Sequence, residues 1–203
     1  MALDVLLLNG PPRSGKDSIA NLLEDMYEIP HYKFANELKH AVHRSYGLFT
    51  IPADYFEERK DQPCEELYGI TPRQAYIQYS EHYAKPLHGD AIWGTILSQT
   101  ISKEIKESNT KSSNDNQLIV ISDSGFLTEM ISLIRNVNIR SIIHVHLFKE
   151  DCSFINDSRS YVEIPSKYLT GIDYTMCSIT NKHGSLHTAF NSVLSHIKQY
   201  LPT

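Results

Sequence analysis

Cysteine is scarce in this chain: Cys64, Cys152 and Cys177 are the only three, far apart and odd in number. That excludes a disulfide framework and offers no zinc-ligand spacing, so a reducing cytosol is the expected compartment. No apolar run approaches the ~20 residues that a membrane helix needs. The run 5–8, behind a start without basic residues, is too short for a signal-peptide core. A soluble chain without a membrane partner is expected. Nor is positive charge in excess: 19 Lys+Arg against 24 Asp+Glu leave a net charge of −5. This balance argues against broad non-specific binding to nucleic acid while leaving room for a local basic groove. The ten histidines form no metal-ligand pattern; His40/His43 and His144/His146 pair only loosely, without the Glu of an H-E-x-x-H site. No internal repeat is visible, and 203 residues fit a single domain, 1–203.

What the chain does have is a strand feeding a phosphate loop. The apolar run Val5, Leu6, Leu7, Leu8 leads into Gly10, Pro11, Pro12, Arg13, Ser14, Gly15, Lys16, Asp17 and Ser18. In a G-x-x-x-x-G-K-[ST] loop, successive backbone N–H groups cradle a β-phosphate and the lysine reaches the β- and γ-oxygens. The glycines stand where a Cβ would obstruct, and the following helix, about 18–26, sets its positive end under the phosphates. Residues 10–18 are therefore the expected ATP contacts. Asp17 replaces the usual Ser/Thr; a carboxylate there binds Mg²⁺, or repels phosphate if nothing offsets its charge.

The rest of the chain alternates. Residues 3–9 read as a buried strand, 31–34 as a short second strand, and 36–46 as a helix ended by Gly47. The stretch 48–69 has no clean period. Thr71 and Pro72 start a helix towards Tyr83, a second spans about 90–107, and 108–116 is a polar low-complexity loop. Apolar runs at 118–121 and 141–147 read as inner parallel strands, with a helix at 127–136 between them. A polar segment at 149–165, a last strand at 174–179 and an amphipathic helix at 185–200 complete the chain. Strands alternating with helices imply an α/β doubly wound parallel sheet, three-layered, with ligands at the carboxyl ends of the strands. An acceptor-binding helical insertion is expected at about 36–107 and a short lid at about 149–168.

Several residues outside the loop suit phosphoryl transfer. Asp123 ends the apolar strand where a second acidic group reaches a phosphate-bound Mg²⁺, or else caps the next helix. Asp17 and Asp123 are thus the candidate metal residues. Catalysis of this kind rests on positioning and charge neutralisation, for which arginine's planar fork is suited. Arg13 in the loop, Arg73 on the acceptor side and Arg159 in the lid join Lys16 and Asp123 as catalytic candidates. Glu81, two turns beyond Arg73, is placed to bind a sugar hydroxyl, a base or an acceptor hydroxyl.

Separate segments together resemble the phage deoxynucleoside monophosphate kinase family of P-loop kinases. They are Asn9 and Gly10 through Ser18; Phe34, Ala35, Leu38 and Lys39; Thr71, Pro72 and Arg73; Asp90 through Trp93; Ile119 through Asp123; and Ile179, Thr180, Asn181, Gly184, Ser185 and Leu186. They stand in family order across nearly the whole chain, and the G-K-D form of the loop is typical of that family. The resemblance implies a nucleoside monophosphate kinase core, ATP with Mg²⁺ as donor, and a nucleotide acceptor near Phe34, Lys39, Arg73, Glu81 and Trp93. A homodimer is left open. Two features depart from the pattern. The family usually has an arginine two residues after the strand-end aspartate, where this chain has Gly125, and residues 78–86 lack its glycine-containing helix. A changed acceptor pocket is what a relative acting on DNA requires, so one alternative is a kinase phosphorylating 5-hydroxymethyluracil in phage DNA. Another is a P-loop protein that binds ATP without turnover.

Overall fold

The computed structural model describes residues 2–108, 116–155, 157–182 and 185–201. The centre of the expected polar loop, 109–115, and Gly184 of the resemblance lie outside the described residues. The first strand, β1 (Ala2–Asn9), lies mid-sheet between β3 (Asn116–Ile121) and β4 (Ile139–Phe148). With β2 (His31–Tyr32) and β5 (Asp173–Thr180) the order is β2-β3-β1-β4-β5, and every pairing is parallel. Val5 stands level with Ile119 on one side and Ile142 on the other.

Successive side chains of β1 leave opposite faces, and both faces are apolar because both are covered. Leu6 and Leu8 pack with Ile19 and Leu23 of α1 (Lys16–Tyr27) and with Phe190, Val193 and Ile197 of α7 (Leu186–Ile197). Leu3, Val5 and Leu7 pack with Leu97 and Ile101 of α5 (Ile92–Ser108) and Met130 and Leu133 of α6 (Leu127–Asn136). The result is the expected three-layer α/β/α arrangement, with the phosphate loop at the carboxyl end of its central strand.

The insertion between β2 and β3 carries its own small core. It begins with α2 (Phe34–Ser45), passes two 3₁₀ turns at Glu57–Arg59 and Glu65–Leu67, and enters α3 (Pro72–Ile77). Val42, Phe56, Cys64, Leu67 and Ala75 are buried together there. Thr71 caps α3 as expected: its hydroxyl accepts from the Gln74 amide while the Gln74 side chain accepts from the Thr71 amide. The helix then runs past its expected end, through π turns at Gln78–Ala84 into α4 (Lys85–His88). Pro86 supplies the reason, since it lacks the amide that would bond the His82 carbonyl and its ring crowds that carbonyl. Wider turns before it relieve both.

The segment expected as a lid is fastened down. Asn9, buried at the end of β1, uses both ends of its amide: Nδ2 donates to the Ser160 carbonyl (3.0 Å) and Oδ1 accepts from the Val162 amide (2.9 Å). The Tyr161 hydroxyl donates to the Leu147 carbonyl, His146 Nε2 bonds the Val162 carbonyl, and Val162 and Ile164 are buried in the core. Residues 157–164 therefore form a strap across the strand ends.

Candidate active site

The phosphate loop closes on itself. Gly15 has φ +100, a left-handed conformation that glycine adopts without strain, and a Cβ there would stand 2.6 Å from Asn181 Nδ2. That same Nδ2 donates to the Ser14 carbonyl at 2.8 Å, so the loop after β5 braces the phosphate loop. Lys16 Nζ donates to the Pro11 carbonyl at 2.7 Å and lies 3.4 Å from Ser14 Oγ, so its charge is folded back over the curve of the loop. Burial, with the Arg159 charge second, brings the Lys16 ammonium down to about 8 against the pull of Asp17, Asp123 and Asp157. An open pocket of ≈ 380 Å³ adjoins the loop, lined among others by Arg13, Lys149, Asn181, Lys182 and Leu186. Arg13 thus stands on the donor side of the site.

Asp17 has the compensation that its sequence context leaves unstated. Lys33 Nζ is 3.2 Å from Asp17 Oδ1, and the Ser122 hydroxyl donates to the same oxygen at 2.6 Å. His31 Nε2 bonds Ser122 Oγ at 2.7 Å; because that hydroxyl donates to Asp17, the imidazole is the donor. Burial, then the Lys33 charge, lowers His31 to about 4, so the ring is neutral at pH 7. Burial raises the Asp17 carboxyl, but Lys33 and Ser122 outweigh it and hold the group below its ordinary value. Its side chain remains 60% exposed and open to a cation from solvent.

Asp123 caps a helix, though not the one that follows it. Its Oδ1 accepts from the Phe34 amide and its Oδ2 from the Ala35 amide, both at 2.9 Å, at the start of α2. Two of the unpartnered amides of a helix N-terminus are thereby satisfied. Burial nevertheless pushes its carboxyl up, against those amides and the Arg159 charge. Arg159 makes a two-point pair with Asp157, at 2.9 Å from Nε and 2.6 Å from Nη2. Its charge acts on Lys16, Asp123 and Glu129, and Asp17 and Asp123 act on it in turn. Lys16, Asp17, Asp123 and Arg159, about 140 residues apart at the extremes, therefore surround one spot.

The expected acceptor residues divide. Arg73 bonds Asp61 through Nε (2.5 Å) and Nη2 (3.2 Å), Lys39 pairs with Glu57, and Glu81 accepts from Lys85 Nζ at 2.6 Å. Asp157 also acts on Arg73, which links Arg73 electrically to the strap. Phe34 and Trp93 lie elsewhere: at 2% and 3% exposed their side chains are inside, Phe34 in the core against the sheet, and Trp93 with its Nε1 donating to Ser80 Oγ. An aromatic ring on the inner side of a helix beside an apolar sheet face gains more from burial than from a ligand.

Sequence reasoning did not single out Glu129. It lies in the first turn of α6, 6% exposed, with no hydrogen bond or ion pair to its carboxyl among the described residues. Burial, then the Asp123 charge, raises it to about 8; Lys85 and Arg159 oppose and Glu81 adds to the rise. No local motif marks it, because the charges that act on it, at Glu81, Lys85, Asp123 and Arg159, come from outside its own helix. Ser122, Lys33 and Asn181 were also unmarked as site residues, although the first and last fall in segments of the family resemblance.

No protein-family model matches the chain, and no curated protein does. Solved structures do. A putative kinase from Chloroflexus aurantiacus J-10-fl aligns over 100% of both chains with a TM-score of 0.51 at 10% identity. A sugar kinase from Janibacter sp. HTCC2649 covers 98% of this chain and 95% of its own, with 12% identity and a TM-score of 0.45. The shikimate kinase of Acinetobacter baumannii, in complex with shikimate, covers 98% and 94%, with 11% identity and a TM-score of 0.43. Sheet order, loop geometry and the first of these likenesses define the class: this is a P-loop α/β kinase fold. Among the described residues no helix is long and apolar enough to cross a membrane.

Proposed function

We propose that the protein is an ATP- and Mg²⁺-dependent phosphotransferase acting on a deoxynucleotide, with a deoxynucleoside monophosphate taken to the diphosphate as the first reading. The observation that carries it is Lys16 folded onto the Pro11 carbonyl inside a loop braced by Asn181, with Asp17 and Arg159 converging on it. The fit to a polyphosphate is good. The loop's curve has no side chain at Gly10 or Gly15, and a Cβ at either would collide with the Leu147 carbonyl or Asn181. Asp17, exposed and already charge-balanced, would hold Mg²⁺, with Asp123 behind it. When bound, the ion offsets charge on the phosphates, and one or two carboxylates suffice for it.

The chain's own residues do the rest. Lys16 leaves the Pro11 carbonyl for the donor phosphates, Arg159 neutralises charge on the moving phosphoryl group, and Arg73 orients the acceptor from the insertion. All three act by position and charge, which is how this chemistry is accelerated. A hydroxyl acceptor, such as the hydroxymethyl group of 5-hydroxymethyluracil in DNA, is the second reading. Glu129 favours it, because a buried, unpaired carboxyl near pH 8 suits removal of a hydroxyl proton, a step that a phosphate acceptor does not need.

Labelled ATP, incubated in parallel with each deoxynucleoside monophosphate, plain DNA and 5-hydroxymethyluracil DNA, tests both. Label on a monophosphate supports the first reading and label on modified DNA alone the second. Label on neither returns the protein to ATP binding without turnover.

A further inference from the structure

We infer that Gly125 is a positioning residue for phosphoryl transfer: the space left by its missing side chain is what seats Arg159 beside the phosphate loop. The inference rests on the phosphotransferase reading and adds a residue to it. A Cβ built at Gly125 would stand 2.6 Å from Arg159 Cβ and 2.7 Å from both Cγ and Cδ, closer than carbon atoms approach without displacement. The whole aliphatic stem of Arg159 therefore lies on the bare backbone at position 125. Gly125 does not have the positive φ that would demand glycine for its backbone, so the requirement is spatial.

Three further contacts show that the stem is held there. The Ser160 amide reaches the Gly125 carbonyl at 3.5 Å, Asn9 clamps Ser160 and Val162 from β1, and Asp157 pairs with the guanidinium. The Gly125 amide in turn bonds the Asp123 carbonyl at 2.8 Å, so position 125 is tied to the strand end carrying Asp123.

 The Arg159 side chain is half-buried, 27% exposed. Its reach to Lys16, Asp17 and Asp123 depends on the stem lying flat on Gly125.

The test is a double-mutant cycle of Gly125→Ala and Arg159→Ala, with transfer read from labelled ATP to the four deoxynucleoside monophosphates and to 5-hydroxymethyluracil DNA. ATP binding is measured separately by titration without acceptor. Gly125→Ala is expected to lower kcat by about 10-fold to 100-fold, as Arg159→Ala does, with ATP affinity changed less than about 3-fold. The double variant is expected to be no slower than Arg159→Ala alone, because the guanidinium that Gly125 seats is already gone. Wild-type kcat in Gly125→Ala, or losses that multiply in the double variant, would overturn the inference. If Gly125→Ala does not fold, Gly125→Ala combined with Arg159→Gly, which removes the opposing Cβ as well, decides alone: folded and matching Arg159→Gly it supports the seat, and unfolded or slower it refutes it. Lys16→Ala is the control for the reading beneath. An active Lys16→Ala removes the phosphotransferase reading itself, whereas an inactive one beside an unaffected Gly125→Ala removes only the role of Gly125.

Discussion

Asp123→Asn separates a helix cap from a metal residue. In the wild type each carboxylate oxygen accepts one backbone amide of α2, both at 2.9 Å. Asparagine keeps one acceptor and turns an NH₂ towards the other amide, which leaves that donor unpaired in a part-buried site. A hydrogen bond to a charged group contributes about 1.5 to 3 kcal/mol. Burial already strains the ionised carboxyl, so a neutral replacement recovers part of the loss and the lower end applies. A destabilisation of about 1.5 to 2 kcal/mol, at about 2 to 4 °C per kcal/mol for a chain of this size, lowers Tm by about 3 to 8 °C. Asp123→Ala, which removes both acceptors, is expected to fall about twice as far. Thermal unfolding without nucleotide measures this, and a Tm within about 1 °C of wild type in both variants would refute the cap. Turnover against Mg²⁺ concentration measures the other role. If Asp123 also bears on the ion, Asp123→Asn lowers turnover by orders of magnitude and raises the Mg²⁺ requirement; an unchanged Mg²⁺ dependence leaves it a cap alone.

Lys16→Ala is expected to abolish transfer and leave the melting curve nearly unchanged, since the loop is braced by Asn181 and its own backbone; measurable transfer would sink the P-loop reading. Arg73→Ala is expected to raise acceptor KM or lower kcat by about 10-fold to 100-fold, the equivalent of about 1.5 to 3 kcal/mol, with ATP affinity little changed. Acceptor KM across a salt series then distinguishes the acceptors, because DNA releases counterions and gives a steep slope whereas a monophosphate gives a shallow one. Glu129→Gln addresses pH. Glu129 holds its proton to about 8 when folded and to about 4.5 when unfolded, so between those values the folded chain binds more proton and stability falls as pH rises. Melting the wild type and Glu129→Gln from pH 5 to pH 9 should show that decline only in the wild type, and parallel curves would refute the buried carboxyl.

The phosphate loop was legible from sequence because its chemistry is local. Gly10, Gly15 and Lys16 work at fixed spacing after an apolar strand, although the brace from Asn181 is remote. The alternation of strands and helices was equally legible, since hydrophobic period reports which face is covered. Thr71 capped its helix for the same reason, its partner being three residues away. Other features were decided only when the chain closed. Asp123 reads as a strand-end acid, yet its carboxylate is spent on amides 88 and 89 residues earlier. Phe34 and Trp93 sit in segments that resemble an acceptor site, but tertiary packing turned their rings inward. Gly125 looks like a lost arginine until Arg159, arriving from the strap, is seen lying over it. Glu129 shows no signal at all in one dimension, because desolvation is a property of everything packed around a group. Local hydrogen-bond geometry and side-chain period travel with the sequence; burial and the meeting of charges exist only where distant segments come together in space.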